Sequence, residues 1–252
     1  MKDVLILIPA FNEEDNISVL LDRLKTPDIT GFADILVVND ASADRTSLIL
    51  RGDSNLTVIS HIFNLGYGSA LQIGYKYAVR RRYKFVIQLD ADGQHDVVNV
   101  SNIYQKLTTP DSQGNTPDIV IGSRFEAGSQ SFYLSGIKKV AIGFFRKVIK
   151  WATGQTILDP TSGLQGLSRR AFLYYSMYQN FDLTYPDANM IIQMLLLGFR
   201  VVEIPSVMHA RQAGVSMHSG ILKPLLYMMI LPLSILSVIL RIRSGRQKRL
   251  SY

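Results

Sequence analysis

The chain has 252 residues, of which 47% are hydrophobic and 19% charged. That allows one large α/β domain or two small ones and rules out general disorder. It has no cysteine, which excludes a disulfide framework, thiol catalysis and a cysteine–zinc site. Its four histidines form no H-E-x-x-H pair, which argues against a zincin. The net charge of +7 is concentrated: residues 241–252 carry five Lys or Arg and no acid, and the remainder carries 22 bases against 20 acids. A near-neutral body with a basic tail is not the evenly basic face that nucleic acid requires, so no nucleic-acid partner is expected.

In chain order, apolar runs predict strands over residues 4–8, 35–39, 56–60, 85–89 and 118–121. Amphipathic stretches predict helices over 13–25, 44–50, 68–82 and 97–107. Asn12 is the expected N-cap of the first helix, with Glu13, Glu14 and Asp15 on its positive end. The alternation implies βαβ units, and the uniformly apolar strands imply a sheet covered on both faces. Further on, helices are expected over 132–153 and 185–197, and short strands over 164–167 and 201–204. No flexible linker interrupts the chain, which reads as one domain, residues 1–220, with an appendage, residues 221–252. The apolar run at 4–8 is too short for a signal-peptide core, so a cytosolic catalytic body is expected.

Residues 221–240 are almost wholly apolar, with Lys223 the only charge and Pro224 and Pro232 the only prolines. A spanning helix needs about 20 apolar residues. Three placements compete: a span, a helix lying on the membrane, and a helix packed on the body or in a homo-oligomer interface. The basic tail disfavours a simple span from a cytosolic body and favours a surface helix beside anionic headgroups. The expected location is the cytosolic face of the cell membrane, peripheral or monotopic.

In an open α/β sheet, ligands bind beyond the carboxyl ends of the strands. Here these ends are followed by Pro9-Ala10-Phe11-Asn12-Glu13, by Asp40-Ala41-Ser42-Ala43-Asp44-Arg45-Thr46, by Asp90-Ala91-Asp92-Gly93-Gln94-His95 and by Gly122-Ser123-Arg124. Asn64-Leu65-Gly66-Tyr67-Gly68 follows the third strand. Two carboxylates at i and i+2 on a turn, Asp90 and Asp92, can face one hard cation, with Gln94 adding an oxygen. Mg²⁺ and Mn²⁺ commonly take one or two carboxylates plus substrate phosphates. Such aspartates also serve as turn formers and helix caps. No G-x-x-x-x-G-K-[ST], dinucleotide fingerprint or G-x-S-x-G elbow is present.

Together with Asp159-Pro160-Thr161-Ser162-Gly163, these segments resemble, in order, the motifs of the family 2 glycosyltransferases of the GT-A fold. The resemblance is to the branch of dolichol-phosphate mannose synthase and the bacterial polyprenyl-phosphate glycosyltransferases. It implies an α/β, Rossmann-like, mostly parallel mixed sheet with helices on both faces, followed by a C-terminal apolar helical segment. It implies an inverting transfer from a UDP- or GDP-linked sugar to a polyprenyl phosphate, with Mg²⁺ or Mn²⁺. Pro9, Phe11, Glu13, Val38 and Asp40 would hold the nucleoside. Asp90, Ala91 and Asp92 would meet the diphosphate, with Asp90, Asp92 and Gln94 as metal ligands. Arg124 and Arg211 would meet phosphates, and Arg124, Lys138 and Lys139 an acceptor phosphate. Asp92, Arg124 and Asp187 are the candidate catalytic residues, Asp187 serving as base if the acceptor is a hydroxyl. Two positions depart from the family pattern: Asn39 stands where an aspartate is usual, and Met217 where a lysine is usual. Two alternatives stand beside this reading. One is transfer to a sugar hydroxyl of a cell-surface or lipid-linked glycan. The other is a non-catalytic membrane partner that keeps the fold.

Overall fold

The structure, a computed structural model, describes residues 2–54, 56–130, 136–210 and 222–245, without the side chains of 137, 138 and 222–228. A seven-stranded mixed sheet runs in the order β3-β2-β1-β4-β6-β5-β7. β1 (Val4–Ala10) lies between β2 (Ala33–Asn39) and β4 (Phe85–Gln88), parallel to both, and β3 (Thr57–Ser60) adds in parallel beyond β2. β6 (Gln165–Ser168) runs antiparallel between β4 and β5 (Ile119–Ser123), and β7 (Val201–Pro205) closes the far edge parallel to β5.

The alternation of side chains along β1 explains why the sheet needs two covers. Leu5 and Leu7 face one core, Val4, Ile6 and Ile8 the other, and all are buried. The second core is closed by α1 (Ile17–Leu24), α2 (Pro27–Thr30), α3 (Thr46–Arg51) and α5 (Val98–Thr108). The first is closed by α4 (Tyr67–Arg80), α6 (Gly136–Thr153), α7 (Arg169–Ser176) and α8 (Ala188–Leu196). α9 (Leu222–Arg243) adds Leu231, Ile235, Val238 and Ile239 to that first core. A Cβ at Gly74 would sit 2.2 Å from Leu7 Cδ1, so glycine is what lets α4 approach β1 this closely.

The strands predicted from apolar runs are all present. The first helix begins later than predicted, at Ile17 rather than residue 13. Asn12 is not its cap: it takes φ +55° and bridges two loops, its N–H donating to Ser42 Oγ and its Oδ1 accepting from the Ala43 N–H. Two short helices, α2 and α7, lie where none was expected. α7 is started by Ser168, whose hydroxyl accepts from the Ala171 N–H. Among the described residues, no helix is long and apolar enough to cross a membrane.

Candidate active site at the strand ends

The carboxyl ends of β1, β2 and β4 lie side by side. Pro9 and Val38, both buried, are register partners across β1 and β2, as are Ala10 and Asn39. Phe11 projects from the end of β1 and is exposed. Glu13 is turned to local work: its carboxylate accepts from Asn16 Nδ2 at 2.8 Å, and its carbonyl accepts the N–H groups of Asn16 and Ile17 at the start of α1.

The Asn39 departure has a physical account. Its Nδ2 donates to Ser47 Oγ at 2.8 Å, and its Oδ1 accepts from the Ser42 hydroxyl at 2.6 Å. An amide both donates and accepts at this buried position, which an ionised aspartate cannot do. Asp40 is buried as well. Its Oδ1 meets His61 Nδ1 at 2.6 Å and accepts from the Leu65 N–H, and its Oδ2 accepts from the Gly66 N–H. Asp40 therefore shapes the loop that begins α4, where Gly66 takes φ +90°.

That loop delivers Tyr67 to the end of β4, where its hydroxyl donates to Asp90 Oδ1 at 2.9 Å. Burial first, then the charge and hydrogen bond of Asp90, hold the Tyr67 phenol well above its usual pKa, so it keeps its proton and donates a hydrogen bond at neutral pH. Asp90 Oδ2 lies 3.8 Å from His95 Nε2, and a Cβ at position 163 would fall 2.3 Å from the same oxygen. Asp92, nearly buried, accepts the Gln94 N–H on Oδ1 at 3.1 Å. Ala91 between them is buried. The Gln94 carbonyl accepts the His209 N–H at 2.7 Å, and its side-chain amide lies 3.5 Å from the His209 carbonyl. The segment after β7 is thereby laid along the Asp90–Gln94 turn, with an antiparallel bridge between His95 and Met208.

Arg124 enters from the end of β5. Its Nε and Nη2 make a two-pronged pair with the fully buried Asp159 at 2.7 and 2.6 Å, and Nη2 also donates to Thr161 Oγ1 at 2.8 Å. Burial opposes the charge on Arg124. The bond to Asp159 and the fields of Asp159, Asp187 and Asp90 outweigh it and raise its pKa. Glu203 of β7 anchors the other side by accepting the N–H groups of Leu158 and Asp159, and burial raises its pKa.

Asp187 precedes α8 and makes no side-chain capping bond. Its N–H donates to Asn189 Oδ1 at 2.9 Å. Its charge acts on both Tyr67 and Arg124, as does that of Asp90, so the four groups share one electrostatic neighbourhood. The segment before it is seated against α4: a Cβ at Gly68 would meet the Leu183 carbonyl oxygen at 2.5 Å. Lys139 is exposed on the first turn of α6. The Lys138 side chain, Arg211, Met217 and His218 lie outside the described residues. A cavity of about 330 Å³ lies elsewhere, between α8 and α9. Its acid, Asp182, already accepts from Thr184 and Tyr185 N–H, Asn189 Nδ2 and Ser234 Oγ. That cavity lacks the convergent carboxylates of the strand ends.

The sequence motifs that contain Tyr67, Gly163, Asp159 and Thr161 give none of these four a role. Each acts on a residue far away in the chain, so only the fold reveals the pairing.

A family model described as Glycosyl transferase family 2 matches residues 5–173. Undecaprenyl-phosphate mannosyltransferase from Micrococcus luteus is 28% identical over 237 residues, covering 86% of this chain and 88% of that protein. Polyprenol monophosphomannose synthase from Mycolicibacterium smegmatis is 26% identical over 230 residues, covering 86% of this chain and 81% of that one. Among solved structures, glucosyl-3-phosphoglycerate synthase from Mycobacterium tuberculosis, in complex with Mn²⁺, uridine diphosphate and phosphoglyceric acid, superposes with a TM-score of 0.65 at 19% identity. It covers 94% of this chain and 78% of that chain. At that identity the likeness establishes the shared GT-A-like fold.

Proposed function

The chain belongs to glycosyl transferase family 2, and on that premise we propose that it moves a sugar from a UDP- or GDP-linked donor to a polyprenyl phosphate at the cytosolic face of a membrane. The observation that supports this reading is the Asp90-Ala91-Asp92 turn at the end of β4, where Tyr67 donates to Asp90 and the charges of Asp90 and Asp187 act on both Tyr67 and Arg124. Relatives of similar length are named for polyprenyl-phosphate substrates.

The donor set suits a divalent cation shared with a substrate. No group of three or more His, Asp or Glu gathers among the described residues, so the protein would offer two carboxylates and the Gln94 amide oxygen and leave the remaining positions to phosphate and water oxygens. The absence of a side chain at Gly163 leaves Asp90 its room. Asp90 and Asp92 would hold Mg²⁺ or Mn²⁺, with Gln94 as the third ligand. When bound, the cation would neutralise charge on the diphosphate. Pro9, Phe11, Glu13 and Val38 would line the nucleoside, with Asp40 fixing the loop beside it.

The acceptor oxygen attacks the anomeric carbon as the bond to the diphosphate breaks, and the nucleoside diphosphate leaves from the opposite face. Tyr67 keeps its proton and holds Asp90 in place. Arg124, oriented by Asp159, supplies a fixed positive charge to phosphate oxygens in a poorly hydrated setting. Arg211, Lys138 and Lys139 are assigned to further phosphate contacts. A phosphate monoester has its second pKa near about 6 and needs no base at neutral pH. A sugar hydroxyl does, and Asp187 is the residue proposed for that role, which keeps that second reading open.

The test incubates the full chain with a panel of UDP- and GDP-sugars, Mn²⁺ or Mg²⁺, and polyprenyl phosphate. A metal-dependent glycolipid product is expected from one donor. Product on a glycan hydroxyl with none on the lipid would replace this reading by the second. Failure of any nucleotide to bind with metal would remove both.

A further inference from the structure

His61, just beyond β3, is a histidine to which the transfer reaction gives no work. Its Nδ1 lies 2.6 Å from Asp40 Oδ1, and the two side chains are only 5% and 4% exposed. A carboxylate oxygen only accepts, so the imidazole is the donor and Nδ1 carries the proton. The other ring nitrogen, Nε2, is buried with no partner among the described residues. The ring therefore presents no polar atom to a ligand, and its one hydrogen bond goes to Asp40.

That bond decides how much of Asp40 is left. A carboxylate has about four acceptor positions, two on each oxygen. On Oδ1, His61 takes one and the Leu65 N–H the other, at 2.8 Å. On Oδ2, the Gly66 N–H takes one, also at 2.8 Å. Among the described residues no further donor reaches this carboxylate, so a single acceptor position remains, on Oδ2. Asp40 follows β2, which lies between β1 and β3 in the sheet, and the loops after those two neighbours expose Phe11, Ile62 and Phe63. Apolar side chains for the ring faces and a lone acceptor for the edge are what a nucleobase site requires.

Resting on the reading that a sugar nucleotide binds at these strand ends with Asp40 beside the nucleoside, we infer that His61 sets the base and that the donor is a UDP-sugar rather than a GDP-sugar. The pairing edge of uracil carries one donor, N3–H, flanked by two carbonyl oxygens. That of guanine carries two donors side by side, N1–H and an N2–H, which suit a carboxylate with both oxygens open. With Oδ1 filled, guanine would leave one of its N–H groups unpaired in a desolvated pocket, and uracil would leave none. His61 is a positioning residue: it acts through Asp40 by closing the oxygen that guanine would need.

The test titrates the full chain calorimetrically with UDP, GDP and 3-methyl-UDP, each with Mn²⁺. UDP should bind about tenfold or more tighter than GDP. The N3-methylated analogue, which lacks the single donor, should also bind about tenfold or more weaker than UDP. His61→Phe keeps a ring of similar size and, because Nε2 has no bond to lose, removes only the donor to Asp40. In this variant the ratio of UDP to GDP affinity should fall by about tenfold, with a thermal melt as the check on folding. A parent chain that binds GDP as tightly as UDP, or 3-methyl-UDP as tightly as UDP, would overturn the inference whether or not the variant folds. An unchanged ratio in folded His61→Phe would overturn the role of His61. Preference for GDP would remove this inference and leave the glycosyltransferase reading standing, whereas failure of every nucleotide to bind would remove both.

Discussion

Asp90 carries two different constraints on its two oxygens. Oδ1 is fixed by the Tyr67 hydroxyl, and Oδ2 lies where a Cβ at Gly163 would come within 2.3 Å. The atom that would be struck is the tip of a side chain, so Gly163→Ala should rotate the carboxylate at little cost to the fold. Metal-dependent nucleotide binding should fall by at least about tenfold, while the melting temperature stays within about 2 °C of the parent. Calorimetric titration of Mn²⁺ with UDP or GDP, beside a thermal melt, measures both. A large loss of stability with binding intact would show the glycine to be a packing residue. Asp187 gives a second prediction at this scale. With a lipid phosphate as acceptor, Asp187→Asn should keep activity within a few fold, and a fall of about a thousandfold would assign it the role of base toward a hydroxyl. The acids at the strand ends were legible in the sequence because turn carboxylates after apolar runs are distinctive. The residues that hold them were not. Tyr67 precedes Asp90 by 23 residues and Arg124 precedes Asp159 by 35, and only strand order brings each pair together.

The elements sort by how much of their reason for existing is local. β1 is seven consecutive buried residues, and β2 and β4 hold buried apolar runs at Leu36–Val38 and Val86–Ile87; such runs announce themselves. α7 does not: Arg169, Arg170 and three aromatic residues in eight give a weak helical pattern, and the helix forms because Ser168 caps it and its aromatic face meets α4. The antiparallel insertion of β6 between β4 and β5 was equally hidden, since four residues of Gln-Gly-Leu-Ser carry no directional signal. α9 was legible as an apolar helix, with packing on the body only one of three placements that the sequence left open. Leu231 is fully buried there, and Ser234 Oγ donates to Asp182 on the segment leading to Asp187. Leu231→Ala should therefore cost about 2–5 kcal/mol in denaturant unfolding, as for any core leucine. A loss under about 0.5 kcal/mol would mean that α9 is a detachable appendage. The same packing makes point substitutions a cleaner probe of α9 than removal of residues 221–252, which would uncover Ile235, Val238 and Ile239 partners in the first core.

For the whole molecule, the site is an edge property of one sheet. β1, β2, β4 and β5 each deliver a piece, and each piece is tied to another strand's loop: Asn12 to Ala43, Asp40 to Gly66, Arg124 to Asp159 and Gln94 to His209. A ligand bridging these loops binds only the folded chain, so its binding energy becomes stability. At a nucleotide concentration one hundred times its dissociation constant the gain is about 2.7 kcal/mol. At roughly 2–4 °C per kcal/mol for a chain of this size, that is a rise of about 5–10 °C in melting temperature. The rise should require nucleotide and Mn²⁺ together and should vanish in Asp90→Asn, which removes one of the two carboxylates offered to the cation. Differential scanning fluorimetry with nucleotide alone, metal alone, both, and both on the variant separates these arms. A full shift with nucleotide alone, or one that survives in Asp90→Asn, would mean that the diphosphate is held by the arginines without the β4 carboxylates, and the metal would lose its place at the end of that strand.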